Sequence, residues 1–401
     1  MADEEIHMRE GRVLHIIDSF NMGGAETWLV EIVKYTRENM PGFPPFDFIA
    51  AGGNTAIFDD LIRSLGCRIF YLKLDKNNTG SFIQGFRKIL KEHTYIAIHD
   101  HQDFLSGWHF LFGLGHLPPV RVSHVHNPHY QLYNNYGVNG NRRMKLRLGR
   151  MLVRALSTHI LGTSGKVLGE YGITSQSYGR QQVRPLYCAF RIDKFSGDHA
   201  VQKSMTCAEF GWDEDVKIVL FAGRLDMSLD IGHPNNHKNS AFALEVIQAC
   251  NDSKIKLIMA GANDFILEEF KGLIRAKGLE SQVKLLGVRK DMTRLMVGSD
   301  ILLFPSRAEG MGMVVVEAQA AGLPVLASST TPEEVVVLKE MVDFCDLDLP
   351  FERWAEDLRR MMDERKPSGT SDDARWKASS FNIEVCCKDL QSVYANAPEK
   401  N

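Results

Sequence analysis

Short apolar runs in the first half of the chain alternate with longer segments in which apolar residues recur every three or four positions. The runs predict β-strands and the longer segments predict amphipathic helices. Strands are predicted at Arg12–Asp18, Phe46–Ala51, Cys67–Leu72, Tyr95–His99, Val120–Val125 and His159–Gly162. Because strands and helices alternate, the first half is expected to form a doubly wound parallel sheet.

This pattern resets near residues 183–195, where a polar, irregular stretch follows, and a second alternation then begins. Its predicted strands are Lys217–Ala222, Lys256–Ala260, Val283–Leu286, Ile301–Phe304 and Pro324–Ala327. Its predicted helices are Ser240–Cys250, Ile266–Lys277 and Met313–Ala321. The chain is therefore predicted to contain two Rossmann-like domains, at 1–195 and 196–375, with a cleft at the carboxyl ends of their strands. A last helix within 376–401 is expected to close the fold.

Composition narrows the class of protein. The chain has 401 residues, 44% of them apolar and 24% charged, as expected for two ordinary soluble α/β domains. A net charge of −3 gives no global electrostatic argument for a nucleic-acid partner. The seven cysteines lack C-x-x-C spacing, and neither a signal peptide nor an apolar run of transmembrane length is present. A cytoplasmic protein is expected, and any membrane contact would be peripheral, at the inner face.

The stretch from Asp300 to Ser328 reads as strand, glycine loop, helix and strand. Glu309 lies in the loop and Glu317 lies in the helix that follows. The helix-initial N–H groups of residues 310–313 favour an anion such as phosphate, whereas the two carboxylates suit hydroxyl groups. A sugar nucleotide offers both kinds of group, so this stretch predicts a sugar-nucleotide site.

Two other loops are candidates for ligand contact. Gly23 and Gly24 follow the first predicted strand, where paired glycines permit close approach of a ligand, although a tight turn without a ligand is the alternative. Arg224 follows a strand of the second domain, and Lys238 precedes the next helix. Such cations can neutralise a diphosphate without a metal, although loop cations are usually just solvated.

Three segments together resemble the retaining GT-B glycosyltransferases of family four: NMGGAE, GRLD with a following HKN, and EGMGMVVVEAQAAGLPVLAS. The resemblance covers nearly the whole chain. It implies a GT-B fold whose final helix crosses back onto the N-terminal domain, and transfer of a hexosyl group from a nucleotide sugar. A UDP-sugar is the preferred donor, a glycan or lipid-linked molecule is the acceptor, and no metal or other cofactor is implied.

The resemblance also implies roles for individual residues. Glu317 would hold the ribose hydroxyls and Glu309 the hydroxyls of the donor sugar, while Arg224 and Lys238 would bind the diphosphate. The glycine loop that closes over the donor is matched by Gly23 and Gly24. The backbone near the sugar and phosphates is matched by Gly310, Met311, Gly312 and Met313. The segment that contacts the base is matched by Gly287, Val288 and Arg289. The segment MSLDIGHPNNH between Arg224 and Lys238 is longer than the family's usual linker, so the loop that leads to Lys238 could fold differently from the family's loop.

Histidines are dense in the first domain. A metal site is not predicted, because no pair has the i, i+4 helical spacing with an acidic partner. His126, at the end of a strand, resembles the family histidine that reaches the donor sugar. His124 and His129 are the competing choices, a plain strand-end histidine is the alternative, and His101 is a candidate on the acceptor side.

Retention of configuration could use a covalent sugar intermediate formed on a carboxylate, as in retaining glycosidases. Nothing in the sequence places such a nucleophile. The family resemblance instead implies front-face attack, in which the leaving phosphate accepts the proton of the acceptor. Glu309 would then position the sugar, and His126, Arg224 and Lys238 complete the predicted catalytic group.

The segment 142–154 carries cations at helical spacing beside apolar residues. Such a helix could bind an anionic membrane surface, or it could be a solvated face over a buried stripe.

Two other functions stay open for the whole protein, a GT-B sugar-nucleotide epimerase and a non-catalytic sugar-nucleotide-binding protein. A dehydrogenase is disfavoured, because the chain lacks G-x-G-x-x-G after its strands.

Overall fold

The structure is a computed structural model that describes residues 11–21, 23–134, 140–261, 265–364 and 374–395. The acidic N-terminal stretch, Met22 of the first glycine loop and the last six residues of the predicted closing segment lie outside these described residues.

Thirteen strands and fifteen helices are formed by the described residues. The strands are β1 (Arg12–Ile17), β2 (Phe46–Ala50), β3 (Arg68–Tyr71), β4 (Tyr95–Asp100), β5 (Val120–Val125), β6 (His159–Gly162), β7 (Gln182–Pro185), β8 (Lys217–Ala222), β9 (Ile255–Ala260), β10 (Val283–Gly287), β11 (Ile301–Phe304), β12 (Val325–Ser328) and β13 (Val342–Cys345). The helices are α1 (Gly24–Asn39), α2 (Asp59–Ser64), α3 (Thr79–Glu92), α4 (Ser106–Phe112), α5 (His129–Asn134), α6 (Gly140–Leu156), α7 (Gly165–Glu170), α8 (His199–Phe210), α9 (Ser240–Cys250), α10 (Leu267–Ala276), α11 (Met292–Gly298), α12 (Met313–Ala320), α13 (Phe351–Asp363), α14 (Ala374–Ala378) and α15 (Ile383–Ala395).

The first of two compact units comprises residues 1–129, 137–191 and 380–401. Its parallel sheet has the order β3-β2-β1-β4-β5-β6-β7. Strand β1 is buried along almost its whole length, and Leu14 and Ile16 pack with Phe82 and Phe110 in one core. The strand order reverses between β1 and β4, and such a switch point is where doubly wound sheets bind ligands.

The second unit comprises residues 130–136 and 192–379. Its parallel sheet has the order β10-β9-β8-β11-β12-β13, so its switch point lies between β8 and β11. Val219 and Phe221 of β8 pack with Phe242 of α9 and Trp354 of α13 in the core of this unit. The apolar residues of α9 recur on nearly every face, because this helix is covered on most sides.

The final helix, α15, belongs to the first unit. Its Tyr394 hydroxyl lies 2.8 Å from Nδ1 of His99 in β4. The chain just before the helix pairs with the end of the first unit, where the amide of Phe190 donates to the carbonyl of Phe381 and the amide of Ile383 donates to the carbonyl of Phe190. This helix completes the burial of the first sheet on one face.

The structure differs from the sequence prediction at several places. Strands β7 and β13 form where no strand is predicted, at the outer end of each sheet. The second unit begins at Ile192 rather than after Phe195, and it also contains the described residues 130–134, which the sequence prediction assigns to the first domain. Edge strands are short and less buried, and their weak apolar pattern explains why they escape prediction.

All seven cysteines are free and buried. Burial raises the pKa of each of their thiols above the ordinary value. Within the described ranges, no helix has the length and apolar content that crossing a membrane requires.

Candidate active site

The predicted site residues of the second unit lie at the ends of β8, β10 and β11, on the loops that follow them and on helix α12. Arg224 and Lys238 belong to the connection from β8 to α9, and Glu309 belongs to the connection from β11 to α12. Since β8 and β11 are the neighbours at which the strand order reverses, both connections leave the sheet at its switch point. The fold of this unit therefore brings together residues that are 85 positions apart in sequence, Arg224 and Glu309.

Glycines allow the strand ends beside the switch point to approach one another. The amide of Gly223 donates to the carbonyl of Ala260, and the amide of Gly261 donates to the carbonyl of Gly287. A Cβ atom on Gly261 would lie 2.0 Å from the carbonyl oxygen of Gly223, and its φ of +142° already disfavours a side chain. This contact fixes the backbone from which Arg224 emerges.

Asp226 holds the start of α9 against the end of β8. One carboxylate oxygen accepts a hydrogen bond of 3.0 Å from the amide of Lys238. The other accepts bonds from the amide of Ser240 at 2.7 Å and from its hydroxyl at 3.0 Å. These bonds satisfy amides at a helix start and fix the direction of the Lys238 side chain.

Lys238 and Glu309 form an ion pair in which Nζ lies 2.6 Å from Oε1. Their side chains are 30% and 11% exposed, so the pair is partly screened from water. The ammonium also lies 5.6 Å from the centre of the Phe304 ring at the end of β11. The structure thus places the predicted phosphate-binding lysine directly beside the predicted sugar-binding glutamate.

His237 lies close to the charged residues of this site. Burial is the main reason that its pKa is lowered, and the nearby carboxylates of Asp226 and Glu309 raise it while Lys238 and Arg224 lower it. The exposed Arg224 is therefore close enough to His237 to act on it electrostatically, although among the described residues its guanidinium forms no ion pair. An unpaired, exposed guanidinium at a switch point is available to an anionic ligand.

Helix α12 begins at Met313, directly after Gly312 in the left-handed conformation with φ of +90°. Glu317 lies one turn into this helix and is half-buried. Burial raises the pKa of its carboxyl to about 7, and the positive charge of Lys194 partly opposes this rise. A carboxyl group that is near half-protonation at neutral pH is uncommon, and it marks a functional position more often than an ordinary surface one.

The base-contacting segment predicted at residues 287–289 ends β10. Gly287 has φ of +64°, and Val288 is 59% exposed. The guanidinium of Arg289 is held by Asp291 and Glu209, with a distance of 2.7 Å to each. Because that side chain is already engaged, this segment can offer a ligand its backbone and the Val288 side chain.

Gln319 holds a neighbouring loop in place behind α12. Its side-chain amide donates to the carbonyl of Val335 at 2.8 Å, and its oxygen accepts from the amides of Val337 and Leu338 at 2.9 Å each. Gln319 itself is fully buried. These bonds tie residues 335–338 to the helix that carries Glu317.

The long segment between Arg224 and Lys238 is folded by its own side chains. The amide group of Asn236 donates to the carbonyls of Ser228 and Asp230, both at 2.7 Å. The hydroxyl of Tyr130 donates to the carbonyl of Pro234 at 2.7 Å, and its ring packs edge-on against His237. The extra length forms a compact loop, with Lys238 at the Glu309 carboxylate.

The predicted site residues of the first unit lie near that unit's own switch point. Gly23 caps α1 with an extended backbone, and α1 starts at Gly24. A Cβ atom on Gly24 would meet nothing within 4 Å, whereas one on Gly23 would lie 2.1 Å from an oxygen of Glu26. The space next to Gly24 is therefore open to a ligand.

His126 follows β5, where Asp103 fixes the backbone. Asp103 has φ of +49°, and one of its oxygens accepts bonds from the amides of His126 at 2.7 Å and Asn127 at 3.1 Å. Burial raises the pKa of the Asp103 carboxyl to about 6. The His126 ring is half-buried, and its Nε2 lies 3.0 Å from Nδ1 of His101.

The competing histidines lie in different surroundings. His124 is fully buried, with Nδ1 3.1 Å from Nε2 of His99. His129 is exposed, and its ring lies near Tyr171. His101 is buried between His15 and His126. Of these four candidates, His126 combines partial exposure with a position at the end of a central strand.

Sequence reasoning assigned no role to three residues that shape the second unit's site. Lys194 acts on Glu317 from residues 192–195, more than a hundred positions earlier. Asp226 and His237 surround Lys238, and their positions depend on how the long loop folds. Only the D of GRLD could have been suspected, as a carboxylate that caps the following helix.

Two parallel sheets of seven and six strands with flanking helices, in one chain, are the architecture of the GT-B class of glycosyltransferases. Crystal structures of Anabaena Alr3699/HepE in complex with UDP and with UDP-glucose have this fold, with TM-scores of 0.73 and 0.72 and 17% sequence identity. They cover 95% and 96% of this chain and 98% and 99% of their own.

Residues 216–362 match the family described as glycosyl transferases group 1. The putative glycosyltransferase EpsF of Bacillus subtilis is 29% identical over 97% of this chain and 98% of its own length. The capsular polysaccharide biosynthesis glycosyltransferase CapH of Staphylococcus aureus is 22% identical over 96% of this chain and 98% of its own. The protein is a glycosyltransferase of the GT-B type, and its second unit carries a group 1 domain.

Proposed function

We propose that this glycosyltransferase transfers a hexosyl group from a UDP-sugar to a glycan or lipid-linked acceptor, with retention of configuration and without a metal ion. The Lys238–Glu309 pair carries the proposal. In this pair the cation that we propose for the diphosphate lies 2.6 Å from the carboxylate that we propose for the sugar hydroxyls, on loops that leave the second sheet at its switch point.

The charges of the second unit suit a nucleoside diphosphate sugar. Arg224 and Lys238 supply two positive charges for the diphosphate, and the N–H groups at the start of α12 favour an anion as well. Glu317 is one turn further along and suits the ribose hydroxyls. A UDP-sugar is preferred, since the similar HepE structures are complexes with UDP and with UDP-glucose.

In the proposed reaction the bond between C1 of the sugar and the β-phosphate oxygen breaks. The acceptor hydroxyl oxygen bonds to C1 on the same face, and its proton passes to the leaving phosphate oxygen. Arg224 and Lys238 neutralise the charge that develops on the diphosphate, which is the role a metal ion has in other transferases. Glu309 positions the sugar, and no carboxylate needs to act as a nucleophile.

Similarity to relatives over nearly the whole chain supports a proposed role in the synthesis of surface polysaccharides. The relatives EpsF and CapH are similar over nearly the whole chain, and CapH is named for capsular polysaccharide biosynthesis. A saccharide linked to a lipid diphosphate, or a free glycan, is the acceptor class that this similarity favours.

A panel of UDP-, ADP- and GDP-sugars, with UDP or other nucleotide release as the readout, tests the proposal. We expect UDP release that rises at least tenfold when a suitable glycan or lipid-linked acceptor is added. Nuclear magnetic resonance of the product should show the anomeric configuration of the donor, and EDTA should leave the rate unchanged. An inverted product would contradict retention, and loss of activity in EDTA that added metal restores would contradict metal independence.

The same assay separates the other two functions. An epimerase would change the donor sugar without an acceptor, and the new sugar would appear in the donor pool. A non-catalytic binding protein would bind UDP-sugar in calorimetry and release no nucleotide with any acceptor. Either result would replace the transferase proposal.

Peripheral contact with an anionic membrane is proposed for helix α6. Met144, Leu148 and Met151 are 57%, 40% and 66% exposed, and they lie beside exposed cations at Arg143 and Arg147. The face that packs on the protein is instead formed by Leu146, Gly149 and Val153. Helix α6 therefore has both a buried stripe and a separate exposed apolar strip, and both alternatives drawn from the sequence stay open.

An exposed apolar strip bordered by arginines is the pattern of a helix that lies in a membrane surface. The occupant we propose is a bilayer with anionic headgroups, since the charge of the strip is positive. Vesicles containing phosphatidylglycerol should sediment the protein, and vesicles of phosphatidylcholine alone should not.

Two double variants test this contact. Arg143→Glu with Arg147→Glu should abolish sedimentation with anionic vesicles, because about 1 kcal/mol is lost per cation near the surface. Lys88→Glu with Lys91→Glu, which alters two exposed cations of α3, is the matched control and should leave it nearly unchanged. Sedimentation that both variants retain would remove the membrane proposal.

A further inference from the structure

Five histidines of the first unit form one cluster on the face of the sheet opposite the core of Leu14 and Ile16. They lie on or directly after three neighbouring strands, β1, β4 and β5: His15, His99, His101, His124 and His126. Trp28 of α1 packs edge-on against the rings of His101 and His124. The cluster is almost completely shielded from water, and only His126 is partly exposed.

Three of these rings form a hydrogen-bonded chain. Nε2 of His126 lies 3.0 Å from Nδ1 of His101, and Nε2 of His101 lies 3.0 Å from Nδ1 of His15. His15 is the buried end of the chain, beside the rings of Phe46 and Phe48. Nδ1 of His126 is the ring nitrogen at the other end that this chain does not use.

All three rings are neutral at physiological pH. Burial lowers the pKa of His15 to about 3 and that of His126 to about 4. The pKa of His101 is lowered well below its ordinary value by burial and by the neighbouring histidines. Each neutral ring carries one N–H and one unprotonated nitrogen. Each hydrogen bond of the chain therefore needs the N–H of one ring and the unprotonated nitrogen of the next.

Only two patterns satisfy both links. In the first, His126 donates from Nε2, His101 donates from Nε2, and His15 keeps its proton on Nε2. In the second, His15 donates from Nδ1, His101 donates from Nδ1, and His126 carries its proton on Nδ1. A change at either end of the chain therefore changes the tautomer of every ring.

The buried end distinguishes the two patterns. Among the described residues, Nε2 of His15 has no hydrogen-bond partner. The first pattern would bury an N–H donor there without an acceptor, and orphaned buried N–H groups are rarer than under-used acceptors. The second pattern leaves only a bare nitrogen at that place and is preferred.

We propose that His15 and His101 are positioning residues that fix His126 as the Nδ1–H tautomer, so that His126 presents a hydrogen-bond donor to a sugar hydroxyl. The tautomer follows from the geometry of the first unit alone. The purpose of that tautomer rests on the proposed function, in which His126 contacts the donor sugar.

A metal ion is the competing explanation of the cluster. Two groups of three histidines, His15 with His99 and His101, and His101 with His124 and His126, each offer ring nitrogens within 4.8 Å of one another. Two nitrogens bound to one zinc at about 2.0–2.1 Å would stand roughly 3.3 Å apart in tetrahedral geometry. The observed 3.0 Å separations are instead those of N–H···N hydrogen bonds.

Nitrogen-15 resonance of the full-length protein, labelled only at histidine, tests the proposal without any activity. Two-bond couplings assign the tautomer of each ring, and His126→Gln identifies the His126 signals. We expect His126 and His101 in the wild-type protein to be protonated on Nδ1. A proton on Nε2 of His126, or signals averaged between the two forms, would overturn the proposal, as would ring signals that shift stoichiometrically with added Zn²⁺.

Variants then test the coupling. His15→Asp puts a carboxylate, which can only accept, opposite Nε2 of His101, so the His101 proton should move to Nε2 and His126 should become the Nε2–H form. His159→Asp, at a buried histidine outside the chain, is the control and should leave the His126 signals unchanged. His15→Phe leaves Nε2 of His101 without an acceptor, so His101 and His126 should both stay protonated on Nδ1. Unchanged His126 signals in His15→Asp, or an Nε2 proton on His126 in His15→Phe, would overturn the coupling.

In the transferase assay, His15→Asp should lower kcat/KM for the donor by about 3- to 10-fold, the effect of one neutral hydrogen bond. If the protein proves to have no transferase activity, the tautomer assignment is still tested by the resonance experiment alone. If activity is present and His126 becomes the Nε2–H form in His15→Asp while kcat/KM is unchanged, the donor role of His126 fails.

Discussion

At the scale of single residues, the site of the second unit combines a fully engaged carboxylate with an unengaged one. Glu309 is held by Lys238 at 2.6 Å. Glu317 has a carboxyl whose pKa is raised to about 7 by burial, and among the described residues the positive charge of Lys194 opposes this rise. The two glutamates are therefore expected to respond differently to substitution and to pH.

Replacing Glu309 should separate turnover from nucleotide binding. Glu309→Gln removes the charge but keeps the shape, and kcat should fall about 100-fold because the sugar is no longer held by a charged acceptor. The affinity for UDP, measured by calorimetry, should stay within about threefold or increase, since Lys238 is freed for the diphosphate. Lost UDP affinity with unchanged kcat would contradict the assigned role. Glu245→Gln, which alters a glutamate paired with Lys277 on α9, is a control that should change neither value.

The raised pKa of Glu317 predicts a pH dependence of donor binding. The ribose hydroxyls donate best to a carboxylate, and Glu317 becomes protonated as pH falls through about 7. KM for the donor should therefore rise as pH is lowered from 8 to 6. Glu317→Gln should have a higher KM at pH 8 and lose this dependence, measured by initial rates across the pH range. A slope that persists in the variant would assign the titration to another group.

The chemistry of individual side chains could be inferred from the sequence, but their contacts could not. Arg224, Lys238, Glu309 and Glu317 follow strands in recognisable motifs, which is why the sequence predicts a sugar-nucleotide site. The ring contacts of His15 with His101 join positions 86 residues apart, and no local pattern signals them. The spacing argument against a metal considered only residues on one helix, whereas parallel strands bring distant histidines to one edge.

At the scale of elements, the close approach of β8 and β9 depends on glycine. Gly261→Ala would place a Cβ 2.0 Å from the carbonyl oxygen of Gly223 at a strained φ of +142°. We expect the free energy of unfolding to fall by about 2–4 kcal/mol, measured by denaturant titration. Gly272→Ala in α10, where a Cβ meets nothing within 4 Å, is the control and should raise stability by roughly 0.5–1 kcal/mol. Equal effects of the two variants would show that the close contact is not what holds the strand ends.

Most elements follow from the apolar pattern, because their central residues are buried on fixed faces. The predicted strands Lys217–Ala222 and Ile301–Phe304 and the helix Ser240–Cys250 coincide with β8, β11 and α9. Helix α6 is also predicted, but the sequence does not predict which of its apolar residues are buried. Its apolar residues outnumber those needed for packing, and the choice of Leu146 and Val153 as the packed face depends on the neighbouring helix α4. Periodicity shows that a helix is amphipathic but not which of two apolar stripes meets the protein.

At the scale of the whole molecule, the neutral histidine cluster predicts sensitivity to acid. Each histidine has a folded pKa below its unfolded value of about 6.5, so the unfolded chain binds more protons and stability falls as pH drops below about 6.5. The carboxyl groups of Asp103 and Glu317 have raised pKa values in the folded protein, so they stabilise it as pH falls. They are fewer than the histidines of the cluster, and the net effect of lower pH is a loss of stability.

The free energy of unfolding should therefore fall by roughly 3 kcal/mol or more between pH 7 and pH 5, measured by denaturant titration at both values. His15→Phe should reduce this fall, because one buried histidine no longer has to stay neutral. His116→Gln, at an exposed histidine, should reproduce the wild-type dependence. A fall of the same size in all three proteins would show that the cluster does not determine acid stability.

The burial of all seven cysteines predicts how the folded protein reacts with thiol reagents. Thiolates are the reactive species, and raised pKa values keep these groups protonated at pH 7. Ellman's reagent should therefore detect fewer than about one thiol per chain within minutes under native conditions, and seven after denaturation. Rapid reaction of several thiols in the native protein would contradict the burial of these side chains.

The low reactivity expected of the native thiols has a practical consequence. A cysteine introduced at exposed Met151 would be the one reactive thiol of the folded chain, so a maleimide fluorophore could be attached there without first removing the natural cysteines. An environment-sensitive dye at that position would brighten when α6 enters a bilayer. Membrane association could therefore be followed in real time by fluorescence in a protein that keeps all of its natural cysteines.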